Sequence, residues 1–164
     1  MGLMETVMTR PDAVQVATLL DGWLEDSSHI YPLKVQYEDT DLAGIVFHPR
    51  FINFAERGRS AMIRLAGIDQ NAMRDDGMVF AIRRIGIDYR APARLGDALM
   101  VRTSLRVMRG AVMELDQIVL KQNPSGQADT VMAELTVEVL VMALSGRPMR
   151  IPALIRDRIT ATIS

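Results

Sequence analysis

Hydrophobic and polar positions along this chain follow two periods, and the change between them divides it. Phe51, Phe54, Ala55, Gly58, Ala61, Met62 and Leu65 recur at intervals of three and four, the spacing of one helix face. Pro49 falls at the favoured first helical position and Gly67 at the usual stop, which predicts a helix from Pro49 to about Leu65. A short helical turn over 69–74 follows, closed by Asp76-Gly77, and then the period shortens to two. Residues 79–89 are rich in β-formers. Leu99, Val101, Thr103, Leu105 and Val107 alternate against Arg102, Ser104 and Arg106, and residues 112–121 form a less cleanly patterned strand. Val131, Ala133, Leu135, Val137, Val139 and Val141 alternate against Glu134, Thr136 and Glu138. Turn signals separate these runs at Arg94-Leu95-Gly96-Asp97, Arg109-Gly110 and Asn123-Pro124-Ser125-Gly126. Ahead of the helix, residues 30–37 alternate well enough for a first strand, with Pro32 pointing to an early or edge position.

Four successive strands on short links must be largely antiparallel, because parallel neighbours need long crossovers. One long apolar-striped helix has to cover one face of that sheet. Ala55 and Gly58 at the centre of the stripe let it lie close to the strands, while the other face or an edge meets another subunit. The expected fold is α+β, a central helix wrapped by a five-stranded antiparallel sheet. Residues 29–164 read as the domain and 1–28 as an N-terminal extension. The extension holds a short amphipathic helix through 14–20, with Trp23 nearby, before the polar break Glu25-Asp26-Ser27-Ser28.

Composition narrows the chemistry. The 164 residues, 49% of them hydrophobic, suit one core. A formal net charge of -1 gives no reason to expect nucleic acid. Zero cysteines exclude disulfides, thiolate metal sites and cysteine nucleophiles, and two dispersed histidines hardly supply a zinc site. Neither common phosphate-binding glycine loop nor a Gly-x-Ser-x-Gly elbow occurs, so no cofactor and no metal are expected. The 12 methionines read as core and interface filling. Charge interrupts every apolar run, so no transmembrane segment is expected. Met1-Gly2-Leu3-Met4-Glu5-Thr6 lacks a secretory pattern and matches the myristoylation spacing only loosely, and the expected location is cytoplasmic.

The chemistry concentrates in Tyr37-Glu38-Asp39-Thr40-Asp41-Leu42-Ala43-Gly44-Ile45-Val46-Phe47-His48-Pro49, read as a strand end, an acidic loop and a helix start. Short acidic loops commonly only turn and cap. A carboxylate beside a helix N-terminus also sits next to unpaired amides, which can hold a carbonyl oxygen as it becomes negative. Asp41 is the candidate nucleophile or general base and Asp39 the loop-orienting partner, although spacing alone does not decide which faces substrate. Gly44 suits a sharp turn or a close ligand approach, and the His48 N–H an oxyanion, with the imidazole as either an acid or a cap. Glu56 is a further carboxylate, for which an ion pair with Arg59 at i+3 is the default. His29 falls in the N-terminal link.

The Tyr37–His48 stretch, followed by Phe54-Ala55-Glu56-Arg57-Gly58-Arg59, resembles the hot-dog-fold acyl-CoA thioesterases of the 4-hydroxybenzoyl-CoA thioesterase type, and within them the Tol–Pal-associated, YbgC-like branch. The likeness continues in Asp88-Tyr89-Arg90-Ala91-Pro92-Ala93-Arg94-Leu95-Gly96-Asp97 and Met108-Arg109-Gly110. It implies a hydrolase acting on acyl-CoA or acyl-carrier-protein thioesters, working as a homodimer or homotetramer with sites between subunits. Asp41 falls on the family's catalytic aspartate and His48 on the helix-start residue whose main-chain N–H polarises the thioester carbonyl. Tyr37 and Gly44 match as supporting residues, and Arg90 and Arg109 are candidates for the CoA phosphates. Two rival readings are a hot-dog dehydratase using His48 with Glu56, and a non-catalytic acyl-thioester-binding scaffold.

Overall fold

The computed structural model describes residues 10–124 and 126–164; the readings of residues 1–6 and of Ser125 fall outside them. The elements are α1 (Ala13–Asp21), β1 (Trp23–Glu25), β2 (Ser28–Lys34), α2 (Arg50–Leu65), α3 (Gln70–Asp75), β3 (Met78–Tyr89), β4 (Ala98–Arg109), β5 (Val112–Lys121), β6 (Thr130–Ala143) and α4 (Ala153–Thr162). All strand pairs are antiparallel in the order β1-β2-β4-β5-β6-β3. Five of these strands are the expected ones, and β1 is a short sixth. It arises at the polar break, where Asp26 (φ 47°) and Ser27 (φ 58°) make a two-residue hairpin turn with both central residues left-handed. Residues 23–25 of the expected extension therefore pair with β2 in the sheet, and Arg64 on α2 holds Asp21 at the end of α1 at 2.8 Å.

α2 lies across the sheet and buries Phe51, Phe54, Ala55, Gly58, Ala61 and Met62, the expected stripe. Leu65 is only half-buried, while Ile63 and Arg59 are buried too. The helix starts one residue after Pro49, which takes helical φ −65° and ψ −20° as the N-cap. Gly58 marks the closest approach, since a Cβ there would stand 2.9 Å from Val101 Cγ1. The alternation of β4 holds for Leu99, Val101 and Thr103 but not for Val107, which is exposed. A bulge between Leu105 and Val107 inserts an extra residue, and one residue reverses the facing of all that follow.

β2 ends at Lys34, before the Tyr37 expected to close it. The Asp39 carboxylate accepts the Gln36 N–H at 2.8 Å, and residues 37–39 turn as a 3-10 helix instead of continuing the ladder. Pro32 pairs with Met100 beyond the reach of β1, so it occupies an edge stretch of β2. At the opposite side of the sheet β3 pairs, among the described residues, with β6 alone. α4 packs Ile155 and Ile159 into the core together with Ile151 and Ile163, a four-residue spacing that marks a helix not anticipated from the sequence.

Candidate active site

The acidic loop is a small hairpin stapled to the sheet. Phe47 N–H donates to Asp39 O at 2.8 Å and Asp41 N–H to Ile45 O at 2.9 Å. Gly44 closes the tip at φ 74°, the left-handed region, with its N–H donating to Asp41 O at 2.9 Å. Val46 N–H donates to Ala93 O at 2.8 Å and Ile45 bridges Arg94, so the segment after β3 anchors the hairpin from below. That segment has its own lock. Arg94 N–H donates to Asp97 Oδ2, and Lys121 pairs with Asp97 Oδ1, both at 2.8 Å. Burial alone raises the Asp97 carboxyl, but the bonds from Lys121 and Arg94 outweigh it and hold the group below its ordinary value.

The two aspartates occupy opposite environments. Asp39 is 1% exposed. Its Oδ2 is bonded to Gln36 N–H, and its Oδ1 makes no hydrogen bond among the described residues, with the Arg50 Nε 3.8 Å away. Asp41 is exposed, and its Oδ1 accepts the Ala43 N–H at 2.8 Å, which fixes the carboxylate at the loop tip. Tyr37 is 83% exposed, and its carbonyl accepts the Thr40 hydroxyl at 2.9 Å.

The helix start leaves one amide over. Arg50 N–H donates to Phe47 O at 2.8 Å, Phe51 N–H to His48 O at 3.3 Å and Ile52 N–H to Pro49 O at 3.0 Å. Pro49 has no N–H to offer. Among the described residues the His48 N–H bonds to nothing, at the positive end of a 16-residue helix. The His48 imidazole is exposed and meets Phe47 and Tyr89 edge-on, with centroids at 4.9 and 6.1 Å. Tyr89 was singled out for no role by its spacing, yet its hydroxyl donates to His48 O at 3.1 Å and ties the end of β3 to the helix start. An exposed carboxylate and an unspent amide on a helix dipole, seven residues apart on one loop, are the groups that holding and attacking a carbonyl requires.

The two arginine candidates part company. Arg90 follows Tyr89 but is engaged with Glu134 at 2.6 Å. Arg109 pairs with Val112, which lies across from Leu140 and then Ala81, eight residues from Tyr89 along β3. That separation is roughly 26 Å. Arg109 shares its end of the sheet with Arg150 and Arg156, around a cleft of about 430 Å³. The expected Glu56–Arg59 ion pair is absent among the described residues. Glu56 Oε1 accepts the Ser60 hydroxyl at 2.7 Å, while Arg59 turns inward and donates to Gln117 Oε1 at 2.8 Å. The signal for that inward turn lay in Gln117 and Thr103, polar residues on inward-facing strand positions. No group of three or more metal-ligating side chains occurs among the described residues, and no helix there is long and apolar enough to cross a membrane.

This chain is similar to known proteins. The acyl-CoA thioester hydrolase YbgC of Escherichia coli O6:H1 is 35% identical over 124 residues, covering 76% of this chain and 87% of that protein. The acyl-CoA thioesterase YbgC of Helicobacter pylori J99 is 32% identical over 133 residues, covering 78% and 97%. A 4-hydroxybenzoyl-CoA thioesterase variant, solved with 4-hydroxybenzoyl-CoA, superposes with a TM-score of 0.75 over 81% of this chain and 99% of its own, at 16% identity, which shows the shared hot-dog fold. With residues 35–159 matching the family as a whole, this chain belongs to the thioesterase-like superfamily.

Proposed function

We propose that this chain hydrolyses acyl-CoA thioesters at the α2 N-terminus, with Asp41 as nucleophile or general base and the His48 main-chain N–H as oxyanion donor. The unspent His48 amide at the start of α2, on the same loop that exposes the Asp41 carboxylate seven residues earlier, is the observation that carries the reading. The thioester carbonyl oxygen takes the His48 N–H as charge develops, a donor of a kind that contributes roughly 3 kcal/mol to the transition state. Asp41 either attacks the carbonyl carbon to form a mixed anhydride that water then cleaves, or takes a proton from water as it attacks. In both routes the C–S bond breaks and the thiolate leaves with its electron pair. A thiolate needs no acid to leave, so the imidazole of His48 is not required.

Asp39 supports the loop from its buried position, Gly44 shapes the tip, and Tyr37 presents its ring at the mouth. Arg90 meets CoA phosphates from the same subunit when it exchanges Glu134 for them. Arg109 reaches such a ligand only from a second copy, given its place at the far end of the sheet. A homodimer, or a pair of dimers, is supported by the unpaired edge of β3 and by the apolar side chains exposed around the loop, Tyr37, Leu42, Phe47 and Tyr89. The same reading places the enzyme in the cytoplasm, extends its substrates to acyl-carrier-protein thioesters and links it to the Tol–Pal system.

Turnover of short, long and aromatic acyl-CoAs tests the proposal. Asp41→Asn is expected to lose roughly 10²–10⁴-fold in kcat, whereas His48→Ala keeps most activity because the main-chain donor survives. A wild-type protein inert towards every acyl-CoA overturns the reading, as does a fully active Asp41→Asn. Loss in a folded Asp39→Asn alone exchanges the roles of the two aspartates.

A further inference from the structure

Arg59 takes no part in the chemistry above, and its surroundings do not account for it. The residue is 8% exposed, and its Nη1 donates to Gln117 Oε1. Gln117 spends its own N–H groups on Ala55 O and Thr103 Oγ1, both at 2.9 Å, so the acceptor is a neutral and fully committed amide. Arg59 forms no ion pair among the described residues. Burial pushes its guanidinium below the ordinary value, with the charge of Glu56 opposing. A buried cation normally rests on a carboxylate, because desolvation is otherwise uncompensated. Nε and Nη2 make no hydrogen bond among the described residues, and that edge of a guanidinium is suited to paired bonds with oxygen.

Arg59 lines a cleft of about 140 Å³ with Ser60, Phe80, Ile82, Met113 and Leu115. A cavity of about 150 Å³ is enough to hold a benzene ring, so the cleft takes a group of some six heavy atoms. Its position follows from the seam between α2 and β3. Tyr89 at one end of β3 meets His48 and Phe51 at the helix start, and Phe80 and Ile82 towards the other end meet the cleft. Arg59 comes nine residues after Arg50, the first residue of α2, roughly 14 Å further along the helix axis.

We propose that this cleft receives the distal end of the acyl group, and that Arg59 selects acyl chains carrying an acceptor oxygen there, hydroxyl or carboxylate, over plain hydrocarbon chains. The proposal rests on the hydrolase reading above. A methyl terminus displaces water from the cleft and leaves the Arg59 donors unpaired, whereas an oxygen satisfies them. Glu56 and Ser60 on the same wall discriminate between the two oxygen classes, since Glu56 repels a second negative charge and accepts from a hydroxyl.

The test compares decanoyl-CoA with its ω-hydroxy and ω-carboxy counterparts of equal length. The wild type is expected to favour at least one oxygenated chain by about tenfold or more in kcat/KM, chiefly through KM. Arg59→Met brings the ratio close to one; where that variant fails to fold, Arg59→Lys keeps the charge, loses the fork and shrinks the preference. Equal handling of all three chains by an active wild type overturns the inference and leaves the hydrolase reading intact. An unchanged ratio in folded Arg59→Met overturns it as well. A wild type that cleaves none of them, nor any of the short, long and aromatic acyl-CoAs, overturns the hydrolase reading instead. The cleft is then judged by NMR titration of phenol, benzoate and toluene, where preferential binding of phenol or benzoate over toluene sustains Arg59 as the receptor and equal binding removes it.

Discussion

The central helix carries polar groups in two places, and they are held in opposite ways. At its first turn the polar atoms face outward, and Asp41 and His48 are exposed, positioned by main-chain bonds within residues 39–47 and by the Ala93 carbonyl. At its middle the polar atoms face inward, and Arg59, Gln117, Thr103 and the Ala55 carbonyl bond to one another across three elements. The outward groups remain free to meet a ligand and contribute little to stability. The inward groups hold helix against sheet, and each depends on all the others. The groups offered for the chemical step and those that hold the helix to the sheet therefore occupy separate turns of one helix, with Arg59 facing both the packed network and the cleft.

The largest test of this division is Gln117→Leu. It strips Arg59 of its acceptor and removes the Gln117 donor from Ala55 O and Thr103 Oγ1, so a loss of roughly 3 kcal/mol is expected. By calorimetry the melting temperature falls by roughly 5–10 °C. Asp41→Asn, by contrast, leaves the melting temperature unchanged while removing activity. A stable Gln117→Leu removes the distinction. Gly58→Ala sharpens it at smaller cost. The new methyl meets Val101 at 2.9 Å, and overpacking of about 2 kcal/mol set against a helix-propensity gain of about 1 kcal/mol leaves a net loss near 1 kcal/mol by urea unfolding.

The smallest effect concerns pH. His29 is fully buried on β2, with Nε2 2.6 Å from Asp21 O and Nδ1 unpartnered among the described residues. Burial lowers its pKa below the ordinary 6.5; the Asp21 carbonyl bond and charge oppose that, and Arg64 adds to it. As pH falls the unfolded chain takes up this proton first, so stability is full above about 6.5 and declines below it. Asp97, held below its ordinary 3.8, contributes stability that persists above that value and is lost only in stronger acid. Urea midpoints of His29→Gln should stay flat from pH 7.5 to 5 and fall only at lower pH; a midpoint that still declines between pH 7 and 5 assigns the effect elsewhere.

The same division governs what could be read from the sequence. The striped helix, four strands and the acidic loop are local patterns, written within ten or fifteen residues, and they are legible. The bulge that turns Val107 outward, the hairpin at Asp26-Ser27 and the inward turn of Arg59 depend on partners far along the chain. Arg59 meets Gln117 fifty-eight residues later, so i+3 spacing favoured the wrong partner, Glu56. Tyr89 stood in a recognised motif, but its bond to the His48 carbonyl depends on how the end of β3 meets α2. His29 looked like part of a linker because nothing local reports that its ring will meet the Asp21 carbonyl at the end of α1.

The two sides of the sheet have unequal fates. Beside β2 a proline and a three-residue strand deny hydrogen-bond partners to any newcomer, whereas β3 presents twelve residues with one flank unclaimed. Accretion through strands can therefore proceed in one direction only. Two such molecules joined through that flank consume it, so the product is a closed pair that cannot propagate into a fibre.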